Sequence, residues 1–389
     1  MQGKDKNDTI SRIMDIKEWN MKKKIILFSV IFILSAALAY AYSNIPVLQE
    51  KLVSAMDEDF KPENIYSDLE SVSKRLDEEI LNGADSFIIY LKDMDVDEIN
   101  QINASLDGIF GSGETYQQIG VVGDTYKKVE ITIKRTSNYY AYCAYVNQIP
   151  IPESETKAKE LYVAMKQILD SRILSSMSDY EKELALHDYV VTHCKYSEIT
   201  TQSPESDIYR AYGALVNGDA VCNGYAEALQ LLFTCAGLNS QFVVGTADGI
   251  DHAWNLVELD GMWYHVDATW NDPIPDQGES TVHPYFNVTD EIMEESHEWE
   301  KEKYPVANDM AYNYYVKSES YFTSFDDYKL QAYDTMVENG IEHYEAVIEN
   351  YVENEDDMQF IFQNNYRYNS VSWQTFEEGS YHVLVMNAE

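Results

Sequence analysis

A two-residue turn between runs of β-forming residues constrains this chain more than any other local feature. Asp260 and Gly261 form the turn, and this residue pair favours a type I′ hairpin. If the turn closes directly, His252 and Asp267 become diagonal neighbours on one face of the sheet. A loop one residue longer would place them on opposite faces, so the register decides whether these two side chains can meet.

A cysteine lies ahead of this hairpin, at the start of a segment with helical spacing of apolar residues. A loop containing Asn217 and Gly218 leads into the segment, and Gly237 ends it. Cys222 is therefore predicted at a helix amino terminus, where unpaired N–H groups and the helix dipole favour a thiolate and can hold an oxyanion. The alternative is that Cys222 is a small buried apolar residue.

Cys222, His252 and Asp267 are the residue types that thiol-based acyl transfer requires. The thiolate attacks a carbonyl carbon, the imidazole delivers a proton to the leaving group, and the carboxylate fixes the imidazole tautomer. Each residue taken alone has an ordinary structural explanation, but together they predict a catalytic site. No C-x-x-C pair or Cys/His zinc spacing occurs, so we expect neither a cofactor nor a metal.

An uncharged run of eighteen residues, Ile25–Tyr42, follows a cluster of three lysines at 22–24. As a helix it would span about 27 Å, close to the hydrocarbon thickness of a bilayer. An uncleaved transmembrane anchor and a cleaved signal peptide both fit the pattern. A chain started at Met21 would have the compact layout of an export signal.

The charge of the chain indicates its partners and its location. With 28 Lys and Arg against 67 Asp and Glu, the net charge is −39, which argues against nucleic acid as a partner. The lysine cluster would hold the amino terminus in the cytoplasm. We expect an extracytoplasmic protein, either membrane-anchored by one N-terminal helix or secreted after signal cleavage. Outside the cell, one disulfide among Cys143, Cys194 and Cys235 is an open alternative.

The remaining patterns predict helices at 155–173 and 179–194, flanked by small α+β units. Before them, strands at 87–91, 117–122 and 127–136 surround a helix at 96–110. A weaker echo of that order follows near the end, with strands at 342–349, 368–376 and 380–387 and a helix at 355–365. The predicted domains are a basic cytoplasmic region 1–24, an anchor or signal 25–42, a spacer 43–84, a β-α-β-β domain 85–150, a catalytic domain 151–305 and an α+β extension 306–389.

Three strings carry a family resemblance: AVCNGYAEALQLLFTCAGL, HAWNLVELDGMWYHVDATWNDP and PYFNVTDEIM. They resemble the transglutaminase-like superfamily, in particular its bacterial exported members, with a core match over about 178–273. The resemblance implies an α+β fold with a papain-like core, in which the cysteine helix packs on an antiparallel sheet. It also implies catalytic roles for Cys222, His252 and Asp267, and packing or site-wall roles for Trp254, Asn255, Trp263, Tyr264 and Trp270.

The sequence departs from the animal-type members in one respect that bears on mechanism. Those enzymes use an upstream tryptophan as an oxyanion donor, whereas no tryptophan lies between Trp19 and Trp254 here. Asn217 and Tyr212 are weak replacements. The superfamily contains cross-linkers, peptidases, amidases and members without catalysis. We expect an acyl transferase or hydrolase acting on peptide or protein substrates of the cell envelope, and the alternative is a non-catalytic surface-binding module.

Overall fold

The computed structural model describes residues 54–82, 84, 86–95, 114–122, 126–133, 135–198, 203, 206–272, 281–351, 367–378 and 381–388. The run Ile25–Tyr42 and the helices predicted at 96–110 and 355–365 lie outside these residues. Within the described ranges, no helix combines the length and apolarity needed to cross a membrane. The described residues form two compact units, the first ending at Ile133.

The first unit contains one four-stranded sheet. Its elements are a 3₁₀ turn Pro62–Asn64, β1 Ile65–Tyr66, α1 Leu69–Asn82, β2 Ser86–Lys92, β3 Glu114–Val122 and β4 Tyr126–Ile133. The strand order is β1-β2-β4-β3, with β1 parallel to β2 and the other pairs antiparallel. The three predicted strands are confirmed, whereas β1 and α1 lie in the stretch predicted as a spacer. Phe60 packs edge to face on Tyr90 and Tyr126 in the core of this unit.

Along the chain, the α-helices of the second unit come before, between and after the strands of its central sheet. They are α2 Ser137–Val146, α3 Thr156–Arg172, α4 Asp179–His193, α5 Cys222–Cys235, α6 Asp290–Met293, α7 Tyr314–Lys317 and α8 Phe325–Tyr333. Both helices predicted before the hairpin are present, as α3 and α4. Ser178 and Glu181 exchange side-chain and backbone hydrogen bonds in a capping box that starts α4. The helix α2 falls in the predicted β-α-β-β domain 85–150 but belongs to the second unit.

The central sheet is antiparallel and has the order β10-β9-β8-β7-β11. Its strands are β7 Asn239–Ala247, β8 Ile250–Leu259, β9 Met262–Val266, β10 Phe286–Val288 and β11 His297–Trp299, and a separate short pair joins β5 Lys195–Tyr196 to β6 Asp219–Ala220. The helix α5 packs on β7 and β8. Asn255 donates from Nδ2 to the Ala226 carbonyl at 3.1 Å, which ties α5 to β8. The expected α+β core, a cysteine helix on an antiparallel sheet, is therefore present.

The hairpin between β8 and β9 has the predicted register. Leu259 pairs with Met262, and both turn residues have positive φ, 50° at Asp260 and 82° at Gly261. Two consecutive left-handed residues are the requirement of a type I′ turn, which Asp-Gly meets at low cost. The predicted register is thus confirmed from the pair Leu259–Met262 to the pair Asn255–Val266, and Asp267 follows directly after the last paired residue.

The second hairpin strand is shorter than predicted. The run MWYHVDATW predicts a strand that extends to Trp270, but β9 ends at Val266. The reason lies in Asp267, whose Oδ1 accepts the backbone N–H groups of Thr269 at 2.9 Å and Trp270 at 3.2 Å. These N–H groups are turned into a tight loop and cannot continue the ladder to β8.

A third sheet is formed by the last strands described and shares a core with the central sheet. This C-terminal sheet contains β12 Tyr321–Phe322, β13 His343–Glu349, β14 Val371–Glu378 and β15 Tyr381–Ala388. Val347 and Val383 pack in one buried cluster with Trp254 and Leu256 of β8. The predicted boundary between residues 305 and 306 therefore falls inside a single compact unit.

The C-terminal sheet repeats the topology of the first unit. Its order is β12-β13-β15-β14, and its short first strand is parallel to the second while the other pairs are antiparallel. The strand part of the weak sequence echo is therefore a repeat of strand order and direction. The helix predicted within that echo, at 355–365, lies outside the described residues.

Gly224 is predicted to allow the first turn of α5 to pack closely against the segments that contain Ile208 and Ala220. A Cβ there would lie 2.6 Å from the Ile208 carbonyl oxygen and 2.8 Å from the Ala220 Cβ. We expect Gly224→Ala to destabilise the second unit by about 2 kcal/mol through overpacking. Gly237→Ala is the control, because its Cβ meets nothing within 4 Å and only the φ of +84° opposes it, at about 1 kcal/mol.

Urea unfolding followed by tryptophan fluorescence measures both variants. All described tryptophans lie in the second unit, so the signal reports on that unit. An equal loss of stability in the two variants would contradict the close packing assigned to Gly224.

Candidate active site

Cys222 is the first residue of α5, as predicted. Gly224 and Tyr225 donate the first bonds of the helix to the Val221 carbonyl, at 2.8 and 3.2 Å. The N–H groups of Cys222 and Asn223 precede those bonds and point out of the helix start. The Cys222 side chain is partly exposed. A substrate carbonyl attacked by this sulfur would therefore meet backbone donors at the same place.

The other three cysteines have a different environment. All four are free thiols in this structure, and Cys143 and Cys194 are buried. Burial raises the pKa of Cys194 and of Cys235 to about 12. Burial likewise raises the pKa of Cys143. These thiols stay protonated at neutral pH, so they are poor nucleophiles.

His252 and Asp267 are joined by a short hydrogen bond. His252 Nε2 lies 2.6 Å from Asp267 Oδ2, and both side chains are buried. Burial lowers the pKa of His252, but the charge and hydrogen bond of Asp267, together with a hydrogen bond to the Cys222 sulfur, raise it to about 10. With Nε2 engaged by Asp267, Nδ1 is the ring nitrogen left for the sulfur. The three predicted side chains are thus brought together in one row.

Asp267 is fully buried and has four hydrogen-bond donors. Besides His252 and the two backbone N–H groups on Oδ1, His297 approaches Oδ2 with its Nε2 at 3.1 Å. Burial raises the pKa of Asp267, but its bonds to His252 and His297 outweigh burial and hold that pKa well below its usual range. The carboxylate therefore stays ionised and oriented.

His297 is a site residue that the sequence did not reveal. It begins β11, a strand of three residues at the edge of the central sheet, and pairs with Ala247. Ser296 Oγ lies 2.9 Å from its Nδ1, and the ring lies 4.6 Å from that of Trp270. A strand this short has no periodicity that could have marked it, and its link to Asp267 spans 30 positions.

Aromatic side chains surround the row. The ring centre of Trp270 lies 6.1 Å from that of His252, and the ring centre of Trp254 lies 6.0 Å from it. Trp254 is buried and donates from Nε1 to His265 Nδ1 at 2.9 Å. These contacts fit the wall and packing roles that the resemblance implied for the two tryptophans. Burial raises the pKa of Tyr196, and the charges of Cys222 and Asp267 add to this, so Tyr196 also borders the site.

The two weak side-chain candidates for an oxyanion donor receive little support from their positions. The Tyr212 hydroxyl is engaged by Glu160. Asn217 ends a π-helical segment, Gly213–Asn217, ahead of β6. The backbone N–H groups at the start of α5 are the donors that the described structure offers.

Two groups of side chains have the composition of a metal site. His252, Asp267 and His297 form one, and His187, Asp188 and His283 form the other, each with ligand-type atoms within 4.8 Å of one another. In both groups hydrogen bonds already join the ring nitrogens to carboxylate oxygens. These bonds satisfy the polar atoms without an ion.

The chain shows similarity to several known proteins. Kyphoscoliosis peptidase of Homo sapiens is 24% identical over 45% of this chain and 29% of its own length, and that of Mus musculus is 24% identical over 32% and 20%. The chain thus spans less than a third of these curated relatives. A solved TGase structure is 18% identical, covers 53% of this chain and 58% of its own, and has a TM-score of 0.26. The periplasmic domain of TgpA from Pseudomonas aeruginosa is 12% identical, covers 41% and 62%, and has a TM-score of 0.23.

One segment of the sequence also matches a family model. The model of the transglutaminase-like superfamily matches residues 167–268. That segment contains the helix of Cys222 and the hairpin that carries His252 and Asp267. Over this segment the chain is similar to the transglutaminase-like superfamily.

Proposed function

We propose that the protein is a thiol-dependent acyl transferase or hydrolase of peptide or protein amides, with Cys222 as nucleophile, His252 as acid and base, and Asp267 as the orienting carboxylate. One observation carries the proposal: a partly exposed sulfur at a helix start lies beside an imidazole whose pKa a buried carboxylate raises to about 10. A positive ring beside the sulfur stabilises the thiolate, and the helix start does the same. No other described cysteine combines these features.

The proposed reaction has two halves. The Cys222 sulfur forms a bond to the carbonyl carbon of the amide, and the carbon–nitrogen bond breaks as His252 gives its proton to the leaving amine. The tetrahedral oxyanion between these events accepts from the N–H groups at the start of α5. Water or a second amine then attacks the thioester, passes its proton to His252 and releases the thiolate. Asp267 keeps the ring aligned throughout and holds its positive charge in place.

Selective alkylation tests the nucleophile. Iodoacetamide at pH 6 should modify Cys222 at least about tenfold faster than Cys143, Cys194 or Cys235, since a stored thiolate reacts and a buried thiol does not. Mass spectrometry of the digested protein gives the rate for each cysteine. His252→Ala should slow Cys222, and the exposed His193→Ala is the matched control that should leave it unchanged. Equal rates at every thiol would favour the surface-binding alternative.

The acceptor decides between hydrolysis and amine transfer. We expect cell-envelope extract to leave an acyl group on Cys222, identified as a mass increment on its peptide. Chasing that adduct with a fluorescent primary amine in ¹⁸O water then separates the outcomes. A labelled product indicates amine transfer, and ¹⁸O in the released acid indicates hydrolysis. No adduct on Cys222, with an intact protein, would contradict the thioester step.

We further propose that the catalytic unit works outside the cytoplasm, anchored by or cleaved from the segment 25–42. The support is the uncharged run after the lysine cluster and the acidic charge of the chain. A membrane-impermeant maleimide applied to intact cells, or to their culture medium, should label Cys222. Labelling that requires cell lysis would contradict export, and Cys222→Ala is the control for the site of labelling.

A further inference from the structure

A second buried group of polar side chains lies in the same unit as Cys222 and has no part in the proposed chemistry. Its members come from α4, from the segment between β9 and β10, and from the C-terminal sheet. They form the buried relay, which consists of Glu345, His283, Asp188, His187 and Asn271. All but Asp188 are at most 6% exposed. Such a network has to be fully satisfied, because an unpaired polar group in the interior is costly.

One end of the buried relay fixes the tautomer of His187. Asn271 Oδ1 accepts the Tyr285 N–H at 2.8 Å, so the Asn271 amide group points its NH₂ at His187 Nε2, 2.9 Å away. That nitrogen is therefore an acceptor, and the ring proton is on Nδ1. His187 Nδ1 donates it to Asp188 Oδ1 at 2.9 Å. Burial also lowers the pKa of His187, which keeps the ring neutral.

The other end holds a positive charge. His283 Nδ1 lies 2.5 Å from Glu345 Oε1, and its Nε2 lies 3.0 Å from Asp188 Oδ1. Both partners are carboxylates, which only accept, so both nitrogens of His283 donate. Burial lowers the pKa of His283, but the charge of Glu345 and the bonds to both carboxylates raise it to about 9. The other oxygen of this carboxylate, Glu345 Oε2, accepts hydrogen bonds from the backbone N–H of His283 and from the Tyr315 hydroxyl.

These protonation states disfavour a metal ion at His187, Asp188 and His283. A metal would need the lone pair of His187 Nδ1, but this nitrogen carries the ring proton because Nε2 accepts from the Asn271 amide. The proton could move to Nε2 only if Asn271 turned its amide, which would break its bond from Tyr285. The hydrogen-bonded form is therefore the one the surroundings specify.

The buried relay ends at the loop that carries Asp267. The Asn271 N–H donates to the Asp267 carbonyl at 3.2 Å, and the Asp267 N–H donates to the Tyr285 carbonyl at 3.0 Å. The loop is thus closed by Asn271 on one side and Tyr285 on the other. His187 is the side chain that holds the Asn271 amide in this orientation.

We propose that the buried relay positions the Asp267 loop, so that Glu345 connects the C-terminal sheet to the candidate active site. His187, Asp188 and Glu345 act as positioning residues and touch no reacting atom. The role rests on the proposed function, because its consequence is the alignment of His252 by Asp267. Loss of the Glu345 charge releases His283, then Asp188 and His187, and lets the Asn271 amide turn.

Glu345→Gln in the full chain tests this role, with Glu349→Gln as the matched control. Glu349 lies on the same strand and also accepts a tyrosine hydroxyl, that of Tyr321 at 2.9 Å. We expect Glu345→Gln to slow alkylation of Cys222 at pH 6 about tenfold, the size of effect typical of residues that orient a site. We also expect the pKa of His252, read from ¹³C-histidine NMR, to fall by about one unit. Glu349→Gln should change neither quantity.

A second variant covers the case in which Glu345→Gln does not fold. Asn271→Ser removes the amide at the loop itself and should lower the pKa of His252 by a similar amount, while Asn239→Ser on the exposed end of β7 is its control. Repeating the titrations in the Cys222→Ala background separates the two proposals, since His252 then reports on Asp267 whatever the sulfur does. Identical His252 titrations in the relay variants and their controls would overturn the positioning role.

Discussion

The fully buried carboxylate of Asp267 is the group on which this site depends. An ionised carboxylate in the interior costs several kcal/mol unless its oxygens are filled by donors. Here four donors fill them: two imidazoles on Oδ2 and two backbone N–H groups on Oδ1. The same bonds end the strand β9, fold the loop behind it and aim His252 toward the sulfur. Local backbone geometry and site electrostatics therefore have one cause.

The parts of the site that could be predicted from sequence are those fixed over short distances along the chain. Asp260 and Gly261 specify a two-residue turn because both adopt positive φ, and the resulting register brings His252 close to Asp267, which directly follows β9. Helical spacing and a terminal glycine place Cys222 at the start of α5. What could not be predicted is held by long-range contacts. His297 and Glu345 reach the site region across the fold from short or buried strands, and no local pattern distinguishes them from core residues.

The C-terminal sheet shows the same limit at the level of domains. Its strands β13 and β15 could be predicted from their apolar runs, but an apolar run does not say what covers it. In the structure Val347 and Val383 share a core with Trp254, so the segment predicted as an extension completes the core of the central sheet. The first unit has the same strand order in a separate core, so the same topology occurs in two different packing environments. Among the described residues, only the C-terminal copy places a buried carboxylate, Glu345, against a histidine of the unit that contains Cys222.

The two histidines of the buried relay show how the surroundings set charge at a fixed degree of burial. The ring centres of His187 and His283 lie 5.6 Å apart and both side chains are buried, yet His187 is neutral and His283 is positive. Burial opposes a charge on either ring, so the second partner decides: an amide NH₂ for His187 and a second carboxylate for His283. Because the pKa of His283 is raised from 6.5 to about 9, its contribution to stability is complete below pH 6.5 and is lost as the pH rises through 9.

The carboxylates of the same network have the opposite dependence on pH. Burial raises the pKa of Asp188 and of Glu345, but their bonds to His283 and, for Asp188, to His187 lower both overall. Their contribution is present above their ordinary range and is lost as the pH falls through the lowered values. His252, with a pKa of about 10, is also protonated across the interval between these limits. Near neutral pH every buried charge around Asp267 and Glu345 therefore has its partner, and the groups that stabilise the fold are in the ionisation states that the proposed chemistry requires.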